Sequence, residues 1–292
     1  DWCGPELLDF VGKLRESRQF DVCLVHYVFL SKVLDLFAQD TCKLIYTHDI
    51  YARRNSRLQA SGLEAYSFST SAWEEARGLD RADTVFAIQE KEARYFAGVT
   101  GSAQVVTLPW LPQRRFLENP GGGGGKLVVG YFASGYKNNV KAFTEFYRAF
   151  RAKPELHDRY TLLVGGTICE RLGAPGLYPL ASFRGTVADV TDFYGACDLV
   201  VNPDLFESGL KLKGIEALSF GIPLLTTRWA MAGIESGCTY HAIEDVPGVL
   251  AAMEDIAQGQ ISLAELAQQS RDTFDSLKRR YDAGNSLCQS RA

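Results

Sequence analysis

Apolar residues in this chain occur in two patterns, as short continuous runs and as runs spaced three or four positions apart. Residues 126–132 form one continuous run, and the apolar residues that follow it lie at helical spacing: Ala142, Phe143, Phe146, Tyr147 and Phe150. A short continuous run predicts a buried strand, and the spaced pattern predicts one face of a helix.

The same patterns predict further elements in both halves. In the second half we expect strands at 160–164, 181–184, 198–201 and 224–227, with helices after Asp189, around Glu216 and over 263–281. In the first half we expect strands at 21–27, 42–47 and 84–88, and helices at 6–15, 29–37, 73–79 and 90–96. Strands that alternate with helices indicate an α/β fold with parallel sheets.

A glycine run divides the two halves. Pro120 is followed by five glycines at 121–125, and such a run behaves as flexible chain. It predicts a linker at 120–125 between a Rossmann-like N-terminal domain, 1–119, and a Rossmann-like C-terminal domain, 126–292. No strand with a glycine-rich turn precedes residue 21, so the N-terminal domain is expected to be truncated. The helix at 263–281 is expected to pack back across both halves.

Composition narrows the class of protein. The net charge of −4 argues against a protein that binds nucleic acid, because such proteins carry a basic surplus. No apolar run is long enough to span a bilayer. The seven scattered cysteines form no CxxC pair and no zinc-binding spacing. Scattered cysteines without such pairs or spacings predict a reducing, cytoplasmic location.

The segment 206–223 carries the strongest chemical signal. After a strand, it runs through a loop of small residues and two lysines into a short helix that Gly221 and Pro223 end. Backbone N–H groups at a helix N-terminus bind phosphate, and the nearby Lys211 and Lys213 add positive charge. Glu216 lies further along the helix, where a carboxylate could hold ribose hydroxyls. The segment therefore predicts a nucleotide-diphosphate pocket.

Structural alternatives for this segment stay open. The loop is also compatible with an ordinary α/β connection whose lysines are solvated. Lys213 and Glu216 are three residues apart, which is the spacing of an ion pair on a helix. Lys211 and Lys213 are expected to point to different sides of the chain, so that only one of them faces a phosphate.

Other polar residues follow the predicted strands of the second half. Ser134 and Lys137 come after the first strand, and Gly185 follows the third. Because the carboxyl ends of parallel strands lie at one edge of a sheet, where ligands bind, we expect these residues to converge with the loop at 208–213. Lys137 is also compatible with a surface lysine at the start of a helix.

In the first half, His48 and Asp49 directly follow a predicted strand. Histidine acts near neutral pH as an acid, a base or a donor to hydroxyl groups, so this is a candidate active-site pair. The alternative is a loop histidine with a structural hydrogen bond. His26 also ends a strand and is predicted to be packed, whereas His157 and His241 are predicted to face solvent.

These residues together resemble the retaining GT-B glycosyltransferases of group 1 (family 4-like), which include sucrose synthases and bacterial mannosyl- and glucosyltransferases. The resemblance rests on Asn202-Pro203, the loop at 208–213, Glu216-Ala217-Leu218, Gly221-Ile222-Pro223 and Thr226-Thr227, and continues at 82–85, Glu92 and Leu108-Pro109. It implies two Rossmann-like domains that face each other across a cleft.

The resemblance also implies an activity in polysaccharide biosynthesis. A sugar would pass from a nucleotide-sugar donor, UDP- or GDP-linked, to a glycan or lipid-linked acceptor, with retention and without a metal or other cofactor. Contact with a membrane surface is compatible with such acceptors. The implied catalytic residues are His48, Asp49 and Lys213. The implied donor-binding residues are Ser134, Lys137, Gly185, Glu207, Ser208, Gly209, Leu210, Lys211 and Glu216.

Two departures from the family pattern support an alternative. Many relatives carry a glutamate eight residues before the helix glutamate, but this chain has Ser208 there and Glu207 one residue out of register. The loop at 130–137 also lacks an arginine that is often present. A non-catalytic GT-B-like module that binds a glycan or a protein is therefore the alternative. A dinucleotide oxidoreductase is disfavoured, because residues 130–135 do not fit Gly-x-Gly-x-x-Gly.

Overall fold

The computed structural model describes residues 2–60, 62, 65, 68–118, 125–205 and 210–289, with side chains in the last helix described up to Tyr281. The chain divides into two compact units. The first consists of Asp1–Trp110 and Ser208–Leu210, and the second consists of Leu111–Glu207 and Lys211–Ala292. Apart from Gly125, the predicted linker at 120–125 lies outside the described residues, so it stays a prediction.

The first unit contains a parallel sheet of four strands in the order β1-β2-β3-β4. The strands are β1 Val22–His26, β2 Cys42–Tyr46, β3 Thr84–Ala87 and β4 Gln104–Thr107. The helices are α1 Pro5–Ser17, α2 Tyr51–Ala60, α3 Ala72–Leu79 and α4 Glu90–Val99, and Val28–Leu36 forms a 3₁₀ helix. The core contains the fully buried side chains of Leu34, Ile45, Val85 and Phe96.

The second unit contains a parallel sheet of five strands in the order β7-β6-β5-β8-β9. The strands are β5 Leu127–Phe132, β6 Tyr160–Gly165, β7 Ala181–Gly185, β8 Leu199–Asn202 and β9 Leu224–Thr226. The helices are α5 Lys137–Arg151, α6 Pro154–His157, α7 Val190–Tyr194, α8 Leu212–Phe220, α9 Val246–Ala257 and α10 Leu263–Gln289. Short 3₁₀ helices lie at Thr167–Glu170, Pro175–Leu177, Arg228–Met231 and Thr239–His241.

The predicted α/β fold with two parallel sheets is confirmed, and every predicted strand occurs at its expected place. Four of the labelled elements were not predicted, α2, β4, α6 and α9, and neither were the short 3₁₀ helices of the second unit. Helix α9 was missed because Pro247 and Gly248 stand in its first turn, where Asp245 caps it by accepting from the N–H of Gly248 at 2.9 Å. No helix in the described part of the chain combines the length and the apolar character needed to cross a bilayer.

Helix α8 ends at Gly221, as the sequence predicts. Gly221 has a left-handed backbone with φ +65°, and a Cβ there would lie 2.8 Å from Cγ of Arg271. Only glycine fits both constraints at no cost. Strand β9 follows at Leu224, so this turn fixes where α8 lies relative to the carboxyl end of β8.

Candidate functional site

The strand order of the second sheet reverses at β5. From β5 the chain proceeds to β6 and β7 on one side, and then returns to the other side for β8 and β9. In open α/β sheets, ligands bind in the crevice outside the carboxyl ends of the strands at such a reversal. The loops that follow β5 and β8 carry the polar residues of the candidate site.

Asp204 holds two lysines together after β8. Its Oδ1 accepts a hydrogen bond from Nζ of Lys213 at 2.7 Å, and its Oδ2 lies 3.2 Å from Nζ of Lys211. The side chains of Asp204 and Lys211 are buried, whereas that of Lys213 is 20% exposed. We call these three residues the lysine–aspartate cluster. Two ammonium groups and one carboxylate give it a net positive charge.

The prediction that the two lysines point to different sides of the chain is wrong. Strand-like alternation does not apply to them, because Lys211 has φ −88° and ψ 83° and Lys213 already lies in α8. Both ammonium groups therefore reach the same carboxylate. Asp204 itself was not predicted, since its role depends on two side chains that converge from a loop and a helix.

Asn139 connects the cluster to the loop after β5. Its Oδ1 accepts from Nζ of Lys213 at 2.9 Å, and its Nδ2 donates to the backbone oxygen of Ser134 at 3.0 Å and to its Oγ at 3.1 Å. The hydroxyl of Tyr131 donates to the backbone oxygen of Asn139 at 3.1 Å. The structure therefore brings the predicted residues Ser134 and Lys213 together through Asn139, which the sequence did not single out.

Burial and charge act in opposite directions on the cluster. Burial alone raises the pKa of Asp204, but the charges and hydrogen bonds of Lys213 and Lys211 outweigh it and hold that pKa below its ordinary value. Burial lowers the pKa of Lys213, while the attraction of Asp204 opposes this shift and the charge of Lys211 adds to it. A second anion beside Lys213 would therefore favour its charged form.

Glu216 does not form the alternative ion pair with Lys213. The hydroxyl of Tyr194 donates to Oε2 of Glu216 at 3.0 Å, whereas Nζ of Lys213 bonds Asp204 and Asn139. Burial raises the pKa of Glu216, and the Tyr194 hydrogen bond and the charge of Arg115 oppose the rise. The carboxyl group is thus held in a fixed orientation in the second turn of α8.

Of the remaining predicted donor-site residues, Ser134 and Lys137 follow the carboxyl end of β5, and Gly185 lies at that of β7. Ser134 and Lys137 are exposed, and Lys137 is the first residue of α5. Gly185 ends β7 with φ +69° and has open space where a Cβ would lie. Leu210 is half-buried and lies two residues before α8. Glu207, Ser208 and Gly209 lie outside the described residues.

In the first unit, His48 is paired with a second histidine. Its Nε2 lies 3.0 Å from Nδ1 of His26, and its pKa is lowered by burial and by the charge of His26. His26 is exposed, so the prediction that it is packed is wrong. The sequence carried a signal for this pair, because two predicted strands each end near a histidine. These strands are parallel neighbours, and their register places His26 opposite Tyr46, two residues before His48.

The carboxylate of Asp49 contacts residues that follow it in the chain. Its carboxylate accepts from the N–H of Ile50 at 2.8 Å and lies 3.4 Å from Nε of Arg54 and 3.8 Å from Nη1 of Arg57. It is 6% exposed. These contacts hold the start of α2 in place, and the expected role of Asp49 beside a sugar stays a prediction.

Two further carboxyl groups are buried near Asp49. Glu75 accepts from the N–H of Tyr51 at 2.7 Å, and Glu92 accepts from Nε2 of Gln89 at 2.8 Å. Burial raises the pKa of Glu75 to about 7 and that of Glu92 to about 8.

In the second unit His241 is fully buried, contrary to the prediction that it faces solvent.

The described residues contain no group of three histidine, cysteine or acidic side chains arranged to hold a metal ion. The expected independence from metal stays a prediction.

Comparison with known families gives a match to the part of the chain that contains the lysine–aspartate cluster. Residues 126–267 match the family described as glycosyl transferases group 1. The matched range includes Asn139, the cluster and Glu216, but it does not include His48 in the first unit.

Solved structures extend the similarity to both units. Sucrose-phosphate synthase from Thermosynechococcus elongatus is 16% identical with a TM-score of 0.72, over 98% of this chain and 77% of that chain. Anabaena HepE in complex with UDP and glucose is 15% identical with a TM-score of 0.67, over 98% and 80%. A mutant of S. aureus TarM in complex with Fondaparinux, alpha-GlcNAc-glycerol and UDP is 11% identical with a TM-score of 0.72, over 96% and 57%.

These identities are low, so the likeness concerns the fold, which matches GT-B glycosyltransferase structures. The chain spans little more than half the length of TarM. No curated protein sequence matches the chain.

Proposed function

We propose that the protein is a retaining, metal-independent glycosyltransferase that moves a hexose from a UDP- or GDP-linked donor to a glycan or lipid-linked acceptor. The observation that carries this proposal is the lysine–aspartate cluster, because it lies at the strand-order reversal of a sheet inside the range that matches glycosyl transferases group 1. HepE and TarM were solved with UDP, which makes UDP the first nucleotide to test.

The cluster supports binding of a diphosphate. It combines two ammonium groups with one carboxylate, and Lys213 is the more exposed of the two lysines. Lys211 is the N-cap residue of α8, so the cluster lies at the N-terminus of this helix, where the N–H groups of the first turn favour an anion. Helix dipole and ammonium groups then act on the same anion.

Glu216 supports binding of the ribose. A carboxylate accepts hydrogen bonds through two oxygens, and in Glu216 Oε2 is oriented by the Tyr194 hydroxyl. Such an orientation suits two neighbouring hydroxyl groups, which both donate to one carboxylate. The raised pKa of Glu216 indicates that a ligand which donates to it would also favour its charged form.

Catalysis would consist mainly of stabilising the departing nucleoside diphosphate. The bond between the anomeric carbon and the diphosphate oxygen breaks, the bond to the acceptor oxygen forms, and the departing diphosphate takes up the proton of the acceptor hydroxyl. Lys213 and Lys137 would neutralise charge that develops on the leaving group. We propose that His48 contacts the sugar or the acceptor hydroxyl, with Asp49 fixing the segment that follows it.

Thermal stabilisation by nucleotides tests the donor site. UDP, GDP, ADP and CMP are added to the wild type, Lys213→Ala, Glu216→Ala and the control Lys141→Ala, which changes an exposed lysine of α5. We expect one nucleotide diphosphate to raise the Tm of the wild type and the control, and to have little effect on the two site variants. If no nucleotide raised the Tm of the wild type, this result would contradict the proposal of a donor site.

A transfer assay with the matching nucleotide sugar then tests the reaction. Release of the nucleoside diphosphate with acceptor glycosylation, lost in Lys213→Ala and kept in Lys141→Ala, is the expected result. Nucleotide binding without turnover would contradict the enzymatic proposal and favour the non-catalytic binding module.

A further inference from the structure

The two histidines of the first unit share one hydrogen bond. His26 Nδ1 and His48 Nε2 are 3.0 Å apart, which is the distance of a hydrogen bond between ring nitrogens. One nitrogen must donate and the other must accept, so the bond holds a single proton. If both rings were cations, both nitrogens would carry hydrogen and the bond would be lost.

Packing fixes the ring of His48 in this position. Its centroid lies 5.3 Å from that of His26, 4.3 Å from that of Tyr27 and 5.2 Å from that of Tyr46. The planes of the two imidazoles differ by only 26°. The ring is therefore held from three sides, and rotation away from His26 would break several contacts.

Tyr27 is held in a strained conformation beside the pair. Its φ of +68° makes it the one non-glycine residue with positive φ in the described part of the chain. Its N–H donates to the backbone oxygen of Tyr46 at 3.0 Å, which ties it to β2 two residues before His48. A bulky residue keeps such a backbone only where its surroundings impose it, and residues of this kind cluster at functional sites.

We propose that His26 is a positioning residue for His48, which selects the ring tautomer of His48 and restricts the pair to a single positive charge. Because Nε2 of His48 is engaged with His26, Nδ1 is the nitrogen through which His48 meets a substrate. The proton on the shared bond decides whether that Nδ1 donates or accepts. The catalytic consequence rests on the proposed function, whereas the state of the pair does not.

The other titratable groups that face His48 are two tyrosines and the neighbouring Asp49. Burial lowers the pKa of His48, and the charge of His26 lowers it further. The rings of Tyr27 and Tyr46 face His48, and burial raises the pKa of Tyr46. Asp49, the next residue, is engaged with Ile50, Arg54 and Arg57.

Histidine NMR on the full chain tests the inference. Two variants separate the effects: His26→Asn can keep a hydrogen-bonding atom near Nδ1 but does not titrate, and His26→Phe keeps an aromatic ring without the bond. The His48 signal is assigned with His48→Gln, and His157→Gln is the control at a distant histidine. Thermal melts check that each variant is folded.

We expect one dominant His48 tautomer in the wild type and a mixture of tautomers in His26→Phe. In His26→Asn the titration midpoint of His48 should rise by about half a pH unit or more, since the competing charge is gone. The control should reproduce the wild type. An unchanged midpoint and an unchanged tautomer in both variants would overturn the inference, whatever the activity.

The transfer assay distinguishes this inference from the proposed function. In an active enzyme, the acid limb of the kcat/KM profile should move with the His48 midpoint in His26→Asn, while KM for the donor stays the same. If the NMR changes occur but the wild type transfers no sugar, the proposed function fails and the coupling of the two histidines stands.

Discussion

The two units bury opposite kinds of titratable group. In the first, Glu75 and Glu92 are each 1% exposed, and burial raises their pKa values to about 7 and about 8. In the second, burial lowers the pKa of His241 to about 4, and two lysines hold Asp204 ionised. Glu75 and Glu92 favour taking up protons on folding, whereas His241 favours giving one up, so these groups should make the stability of the two units depend on pH in opposite directions.

The comparison also shows that charge pairing, not burial alone, decides the state of a buried carboxyl. Asp204 is as inaccessible to solvent as Asp49, and each contacts two cationic side chains. Glu75 and Glu92 receive their shortest hydrogen bonds from a backbone N–H and from an amide instead. Hydrogen bonds from neutral groups do not offset the loss of hydration, so these two carboxyls favour the protonated form.

The largest expected effect is that of Asp204→Asn. It leaves Lys211 and Lys213 without their shared carboxylate, and we expect a loss of about 3 kcal/mol in the free energy of unfolding. Urea denaturation, with hydrogen exchange in β8 and α8, measures the loss. Asp275→Asn is the control, because Asp275 forms an exposed pair with Arg114 at 3.5 Å and should cost less than about 1 kcal/mol. Equal losses in both variants would contradict the role of Asp204.

The next largest effect concerns the pH dependence of the first unit. Because the pKa of Glu92 is raised in the folded state, its contribution is complete below the unfolded pKa and is lost as pH rises through about 8. Between pH 5 and pH 8 the wild type should lose about 3 kcal/mol from this group. Hydrogen exchange in β2 and β3, corrected for intrinsic rates, reports the loss.

Glu92→Gln should flatten this dependence on pH, and the exposed control Glu16→Gln should leave it in place. If Glu92→Gln and the wild type lose the same stability between these pH values, Glu92 is not the group responsible.

A smaller effect of opposite sign is expected in the second unit. His241 bonds Oγ of Ser236 at 2.7 Å, and its depressed pKa means that its contribution is present above the unfolded pKa and is lost as pH falls toward about 4. Between pH 7 and pH 5 the loss should be about 2 kcal/mol. His241→Gln should remove it and the control His157→Gln should not, as hydrogen exchange in β9 would show. A similar acid slope in His241→Gln would argue against this assignment.

The sequence predicted the sheets well because their strands are short apolar runs, as in 126–132, and the pattern survives in the fold. It failed for His241, which stands among polar neighbours but is buried by a contact with α10, where Ser270 lies 29 positions away. It failed for Asp204 and Asn139 for the same reason. Side chains from two helices and a loop converge there, and spacing along the chain does not report convergence.

The smallest predicted effect concerns the carboxyl group of Glu216 at the proposed ribose site. Tyr194→Phe removes the hydroxyl that donates to Glu216, and with it about 1 kcal/mol of interaction. We expect the affinity for the nucleotide to fall about fivefold, since the carboxylate loses the donor that orients it. Isothermal titration with the nucleotide measures the change.

Tyr160→Phe is the matched control, because Tyr160 is also buried and its hydroxyl donates to the backbone oxygen of Met253 at 2.7 Å. Tyr160 begins β6, at the edge of the sheet opposite to the cluster. This change should therefore lower stability without lowering the affinity for the nucleotide. An equal loss of affinity in both variants would mean that the effect comes from general loosening of the unit. An unchanged affinity in Tyr194→Phe would show that Glu216 needs no orienting donor for the nucleotide to bind.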